Sequence, residues 1–214
     1  MKSIPNILTI LRLLACPLLI VLFIEQGEAG DTDKLYYYYI LILIVFMLAC
    51  LTDFFDGYLA RKRNLKSNFG KILDPIADKA LIITIFVMLI IYGAIHEFNK
   101  IAFYIIIIRE LIISFLRFNL SSVNKAINVS MLSKYKTFIQ MLAIGIFLLV
   151  GTGNWLLNHT HTGIYSLNTN MRDYTYIFLL LTYYLSIFLF WVAAFITIVT
   201  GVQHFKTYLK LKQK

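Results

Sequence analysis

The sequence predicts an all-α membrane protein, a six-transmembrane-helix bundle with both termini in the cytoplasm. Hydrophobic residues make up 60% of the 214-residue chain and charged residues only 14%, whereas an average soluble domain has about 45–50% apolar and about 25% charged residues. Long apolar stretches recur along the chain, and the segments between them alternate between acidic and basic. Since no repeat, low-complexity tract or linker divides the chain, residues 1–214 are expected to form a single membrane domain.

Six stretches are apolar enough to be spans, because a transmembrane helix needs about 20 mostly apolar residues. They are Ile4–Ile24, Tyr36–Gly57, Ile72–Ala94, Ile101–Phe118, Phe138–Val150 and Tyr174–Val202. The fifth is the shortest, and the last is long enough to tilt or to continue into the cytoplasm. A strand interpretation fails because the runs are continuous rather than alternating. The first stretch is expected to be a retained helix rather than a signal peptide, since Arg12 interrupts its middle.

The charges of the connecting segments orient the predicted bundle. Four acids lie in Glu25–Lys34, whereas Arg61–Lys71 contains five bases, Asn119–Lys136 contains three, and neither contains an acid. By the positive-inside rule, the two basic segments and both termini face the cytoplasm, and the polar segment Gly151–Asp173 lies outside. The net charge of +9 is then explained by orientation and by contact with anionic membrane lipids, and we expect no nucleic acid as a partner.

Five of the eleven acids lie within or at the ends of the predicted spans: Asp53, Asp56, Asp74, Asp78 and Glu110. A charged side chain inside a bilayer costs about 2.5–3.5 kcal/mol or more, so such acids indicate a functional site. Asp53 and Asp56 are three residues apart, and Asp74 and Asp78 are four apart, so each pair lies on one helix face. Because a short basic segment joins the two helices, we expect all four carboxylates to converge on one pocket.

Four carboxylates in one pocket cannot all stay ionised without cations. Oxygen ligands favour Mg²⁺ or Mn²⁺ over zinc, and two metals bridged by shared carboxylates would neutralise the charge. Gly57 and Ala60 lie on the same face as the first aspartate pair and leave room for a bulky group. Gly70 allows a close backbone approach, and Arg61 can reach a phosphate.

Each aspartate taken singly also fits a structural role. Asp74 precedes a proline and fits a helix N-cap, and Asp53 or Asp56 could form an ion pair with Arg61 or Lys79. A transporter or cation channel is the alternative of another class, because membrane carboxylates also mark ion pathways. Such proteins usually place their carboxylates near the bilayer midplane, between repeats. Here they cluster near one face, and no repeat is visible.

The aspartates belong to a longer motif. It is written D-x-x-D-G-x-x-A-R from Asp53 to Arg61, followed after eight residues by G-x-x-x-D-x-x-x-D from Gly70 to Asp78. It resembles, without departure, the signature of the CDP-alcohol phosphatidyltransferase family. The resemblance implies six transmembrane helices, a homodimer, two divalent metals per subunit, and cleavage of a CDP-linked lipid with release of CMP.

Three further segments resemble the branch of the family that makes phosphatidylglycerophosphate in bacteria. They are Ile4–Arg12, Ile108–Glu110 together with Arg117, and Lys134–Thr137. Ser133 stands where that branch usually has glycine. The resemblance implies CDP-diacylglycerol as the donor and sn-glycerol 3-phosphate as the acceptor. Inositol phosphate, serine and phosphatidylglycerol stay open as other acceptors within the family.

The resemblance also implies residue roles. Asp53, Asp56 and Asp74 would hold the metals, with Asp78 on the second one, and Asp78 is the candidate general base for the attacking hydroxyl. The residues expected to bind the CDP-lipid are Asn6, Thr9, Gly57, Ala60, Arg61 and Gly70.

The phosphate of the acceptor is a dianion and needs fixed cations. The bases near the cytoplasmic ends of spans four and five are Arg109, Arg117, Lys134 and Lys136. We expect all four bases to be unmatched. Glu110 follows Arg109 directly, but adjacent helical residues do not face each other. Orientation in the membrane is the alternative role for Arg117 and the two lysines. Arg12 either lines the same cavity or pairs with an acid.

Overall fold

The computed structural model describes residues 4–63, 68–93, 95–121, 131–159 and 169–212, and the side chains of most of them. These ranges contain six helices and no strand, which confirms the all-α class. The helices are α1 (Ile4–Glu28), α2 (Thr32–Arg63), α3 (Asn68–Tyr92), α4 (Glu97–Ser121), α5 (Met131–His159) and α6 (Thr169–Lys212). Each predicted span falls largely within one of them.

Among the described residues, three helices contain a stretch that is long and apolar enough to cross a membrane. These stretches are Thr9–Glu28 in α1, Tyr135–Thr152 in α5 and Tyr176–Leu209 in α6. The fifth predicted span, the shortest by sequence, is thus one of the three. Helix α2 has a shorter apolar stretch, Tyr37–Thr52.

The helices run past the predicted spans and into two of the predicted connecting segments. The segment Gly151–Asp173 is helical up to His159 and again from Thr169, with 160–168 outside the described residues. Only residues 29–31 separate α1 from α2, where the backbone oxygen of Asp31 accepts the first helical hydrogen bond from Leu35 at 3.1 Å. Hydropathy marks where a helix meets lipid, but a helix satisfies its own backbone groups and can continue into water.

The helices form two compact units. The first comprises Met1–Ala94 with Gly145–Tyr183, and the second comprises Ile95–Ile144 with Tyr184–Lys214, so α5 and α6 contribute to both. In the first unit α1 packs against α2 and α3. The ring of Tyr92 on α3 lies against Gly27 of α1, where a Cβ atom would collide with it.

In the second unit α4 packs against α6 through aromatic side chains. Phe103 and Phe190 are buried and meet edge to face, with ring centroids 4.6 Å apart. Trp191 donates from Nε1 to Oδ1 of Asn99 at 3.2 Å. This contact fixes the register of α4 against α6 near the beginning of α4.

Candidate functional site

The four aspartates of the motif lie on two consecutive helices. Asp53 and Asp56 are in the last third of α2, and Asp74 and Asp78 are in the first half of α3. Since all four positions are helical, each pair keeps the spacing that places it on one helix face. Of the four carboxylates, the structure describes that of Asp78.

The predictions for ten site positions concern side chains outside the described residues. These positions are Asn6, Asp53, Asp56, Gly57, Ala60, Arg61, Gly70, Asp74, Arg117 and Lys134. Within the part of the chain whose side chains are described, no three His, Cys, Asp or Glu side chains come together as a metal site. Because three of the four predicted ligands fall outside that part, the convergence of the aspartates stays a prediction.

Asp78 forms an ion pair with Arg12. The guanidinium of Arg12 on α1 donates from Nη1 to Oδ1 of Asp78 on α3. The side chain of Arg12 is 1% exposed, whereas that of Asp78 is 37% exposed. Of the two alternatives for Arg12, pairing with an acid is therefore confirmed, and the carboxylate of Asp78 is held from one side while staying accessible.

Thr9 lies on the same buried face of α1 as Arg12. It precedes Arg12 by three residues, and both side chains are 1% exposed. Cys16, one turn after Arg12, is also buried and donates from Sγ to the backbone oxygen of Arg12 at 3.5 Å. Thr9 and Arg12 are thus polar side chains that α1 buries in the first unit, and contact of Thr9 with a ligand stays a prediction.

A second cluster of charged side chains joins three helices of the second unit. Glu110 on α4 is buried, and its Oε1 accepts hydrogen bonds from Nζ of Lys136 on α5 and from Nη1 of Arg109 at 3.2 Å. Nη2 of Arg109 donates to Oγ1 of Thr200 on α6 at 2.8 Å. Two cations share one acid, so the cluster has a formal charge of +1.

The expectation that Arg109 and Lys136 are unmatched is therefore wrong. For Arg109 the expectation rested on the rule that the side chains of adjacent helical residues do not face each other. The long side chain of Arg109 bends back to reach the carboxylate of Glu110 on its own helix, and α5 brings Lys136 to the same oxygen. The role of these two cations in binding the acceptor phosphate stays a prediction.

Helix α6 contributes Thr200 to this cluster and carries two more buried polar residues on the same face, none of which was predicted from the sequence. Thr197, Thr200 and His204 are buried, and Thr197 lies 3.5 Å from Nε2 of the buried Gln140 on α5. Their spacing of three and four residues places them on one face of α6. That spacing is visible in the sequence, because polar residues are rare in so apolar a stretch.

The cluster has the chemistry of an anion site. Arg109 and Lys136 carry charge-assisted donors, the strongest kind for a phosphate. Gln140, buried on α5, adds a neutral amide nitrogen with two N–H donors, one of which is directed at Oγ1 of Thr197. With one positive charge in excess, the cluster would gain electrostatically from a bound anion.

The chain is similar to known proteins over most of its length. The sequence profile described as CDP-alcohol phosphatidyltransferase matches residues 2–203. The CDP-diacylglycerol–glycerol-3-phosphate 3-phosphatidyltransferase of Rickettsia typhi is 36% identical over 209 residues, which cover 96% of this chain and 97% of the relative.

Two further relatives carry the same name. The protein of Cereibacter sphaeroides is 41% identical over 151 residues, which cover 71% of this chain and 65% of the relative. The protein of Bacillus subtilis is 30% identical over 210 residues, which cover 96% of this chain and 94% of the relative.

Proposed function

The chain belongs to the CDP-alcohol phosphatidyltransferase family, and we propose that it transfers the phosphatidyl group of CDP-diacylglycerol to sn-glycerol 3-phosphate. The products are phosphatidylglycerophosphate and CMP, and the reaction is a step of phospholipid biosynthesis. The observation that carries the proposal is similarity over nearly the whole chain to enzymes named for that reaction. The complete motif from Asp53 to Asp78 lies within the matched region.

We place this enzyme in the membrane as six spans, with both termini and the active site at the cytoplasmic face. Contacts within each unit support alternating spans. Arg12 meets Asp78 and Gly27 lies against Tyr92, so α1 and α3 run in the same direction. Pairing of Asn99 with Trp191 and of Arg109 with Thr200 gives α4 and α6 a common direction as well. A homodimer is proposed from the family resemblance.

Two divalent ions, Mg²⁺ or Mn²⁺, are proposed to be held by Asp53, Asp56, Asp74 and Asp78. An all-carboxylate set suits such hard cations, and the 37% exposure of Asp78 leaves its carboxylate accessible to one. Bound there, the ions would polarise the phosphate of the donor and stabilise the CMP leaving group. Arg12 would fix the orientation of Asp78 from the protein side.

In the proposed transfer Asp78 takes the proton of the acceptor hydroxyl. The hydroxyl oxygen forms a bond to the β-phosphorus of CDP-diacylglycerol, and the bond from that phosphorus to the CMP oxygen breaks. Asn6, Thr9, Gly57, Ala60, Arg61 and Gly70 are proposed to line the donor site. Arg109, Arg117, Lys134 and Lys136 are proposed to bind the phosphate of the acceptor.

The function is tested by measuring CMP release from labelled CDP-diacylglycerol with the purified chain in detergent. Release is expected with sn-glycerol 3-phosphate and not with serine, inositol phosphate or phosphatidylglycerol. It should cease when a chelator removes divalent ions and return on addition of Mg²⁺ or Mn²⁺. If the chain prefers another acceptor, the family assignment holds but the proposed substrate is wrong. Full turnover in the presence of the chelator would contradict the metal site.

Arg109→Ala is expected to raise the apparent KM for sn-glycerol 3-phosphate by about 10- to 100-fold, the range for loss of charge-assisted hydrogen bonds. The KM for CDP-diacylglycerol should change little. Lys100→Ala is the matched control, because it removes a cation from the beginning of the same helix, where Lys100 pairs with the exposed Glu97. An unchanged KM for sn-glycerol 3-phosphate would show that Arg109 does not bind the phosphate of the acceptor.

A further inference from the structure

The guanidinium of Arg109 rests on a buried threonine of another helix. Nη2 of Arg109 donates to Oγ1 of Thr200 at 2.8 Å, and the residue Thr200 is 0% exposed. The Thr200 hydroxyl donates its own proton to the backbone oxygen of Ile196, one turn earlier, at 2.9 Å. Because a hydroxyl has one proton, its oxygen acts toward Arg109 as an acceptor.

The next residue of α6 makes room for the same side chain. A Cβ atom on Gly201 would lie 3.2 Å from Cγ and 3.4 Å from Nε of Arg109, tighter than ordinary van der Waals contact. The missing side chain therefore lets the stem of Arg109 lie directly on α6. We call Thr200 and Gly201 together the arginine seat.

The arginine seat and Glu110 hold Arg109 from two sides. Glu110 accepts from Nη1, and Thr200 accepts from Nη2. A guanidinium is a rigid planar fork, so contacts at both terminal nitrogens fix the directions of its other N–H groups. Phosphate recognition by arginine depends on those directions, which a point charge such as an ammonium does not impose.

We propose that Thr200 is a positioning residue for Arg109, through which α6 sets the direction of the guanidinium toward the phosphate of the acceptor. The inference rests on the proposed function, in which Arg109 binds that phosphate. Thr200 acts through Arg109 and does not itself touch the substrate. Gly201 contributes by having no side chain, which leaves space for the stem of Arg109.

The test compares two substitutions of Thr200, one that removes its hydroxyl and one that keeps it. Thr200→Val keeps the shape and removes the hydroxyl, and it should raise the KM for sn-glycerol 3-phosphate about tenfold. The KM for CDP-diacylglycerol and kcat should stay within about twofold of the unsubstituted enzyme. Thr200→Ser keeps the hydroxyl, so its KM for sn-glycerol 3-phosphate should stay within about twofold of that of the unsubstituted enzyme.

Thr207→Val is the matched control on the same helix. The hydroxyl of Thr207 makes the same one-turn hydrogen bond to a backbone oxygen, that of Gln203 at 2.9 Å, but Thr207 is exposed. Its removal should leave both KM values unchanged. Gly201→Ala is the second variant, expected to raise the KM for sn-glycerol 3-phosphate by crowding Arg109, and it keeps the proposal testable if Thr200→Val does not fold.

The outcomes separate this inference from the proposed function. If Arg109→Ala raises the KM for sn-glycerol 3-phosphate and neither seat variant does, the positioning role of the arginine seat is overturned. Phosphate binding by Arg109 is then still supported. If a seat variant raises both KM values equally, the seat has only a structural role, which also overturns the inference. If Arg109→Ala itself has no effect, the phosphate site fails and the seat fails with it.

Discussion

Asp78→Asn is expected to lower the rate of CMP release by about 100- to 10,000-fold, the range for loss of a general base. Asparagine keeps the size of the side chain and an oxygen that can accept a hydrogen bond from Arg12, but it cannot take a proton. Binding of CDP-diacylglycerol should therefore persist while transfer is lost. Release of labelled CMP and equilibrium binding of labelled donor, measured on one preparation, check the two halves of the prediction.

The ion pair with Arg12 offers a competing explanation for such a loss. Asp78→Asn also takes a negative charge away from a guanidinium that is 1% exposed, and the first unit could be distorted as a result. The double variant Arg12→Leu with Asp78→Asn removes both charges, a change that is often tolerated in a protein interior. Recovery of transfer in the double variant would assign the loss to the ion pair.

If Asp78 is the base, the double variant stays inactive. Glu97→Gln is the control for removal of an acid, because Glu97 is exposed and pairs only with a lysine of its own helix among the described contacts. It should retain full activity. Near-normal turnover of Asp78→Asn itself would remove the assignment of the base.

The helices of this chain could be predicted from the sequence because each contains a long apolar run. Their ends could not, since the helical backbone continues past the lipid boundary wherever polar side chains can reach water. Thus α5 extends to His159 and α6 begins at Thr169, inside the segment predicted to connect them. Residue pairs within one helix, such as Asp74 and Asp78, follow from spacing alone.

Contacts between helices that are distant in sequence could not be predicted from the spacing of residues. The approach of α6 to α4 determines that Thr200 meets Arg109, and no spacing rule connects residues 91 positions apart. The bond from Arg109 to Glu110 depends on the bend of a long side chain. For Arg12 the sequence left two roles open, and the packing of α1 on α3 decided between them.

Glu110→Ala is expected to be the most destabilising substitution in the charged cluster, with about 3–5 kcal/mol of unfolding free energy lost. The carboxylate is buried and accepts from Arg109 and Lys136, whose side chains are 12% and 4% exposed, so its removal leaves these two like charges close together without their shared acid. Unfolding by denaturant in detergent, followed by circular dichroism, measures the change. Glu110→Gln keeps the shape and one acceptor oxygen, and it should lie between the alanine variant and the unsubstituted protein.

The exposed pair at the beginning of α4 is the control for this effect. Glu97 is 83% exposed and pairs with Lys100, and such surface pairs contribute about 0–1 kcal/mol. If Glu110→Ala lowers the free energy of unfolding no more than Glu97→Ala does, the buried cluster does not stabilise the fold more than the surface pair. Adding Lys136→Met to Glu110→Ala removes one of the two repelling cations, so the double variant should be more stable than Glu110→Ala alone. That gain, measured by the same unfolding experiment, would show that the destabilisation is electrostatic and does not come from a cavity.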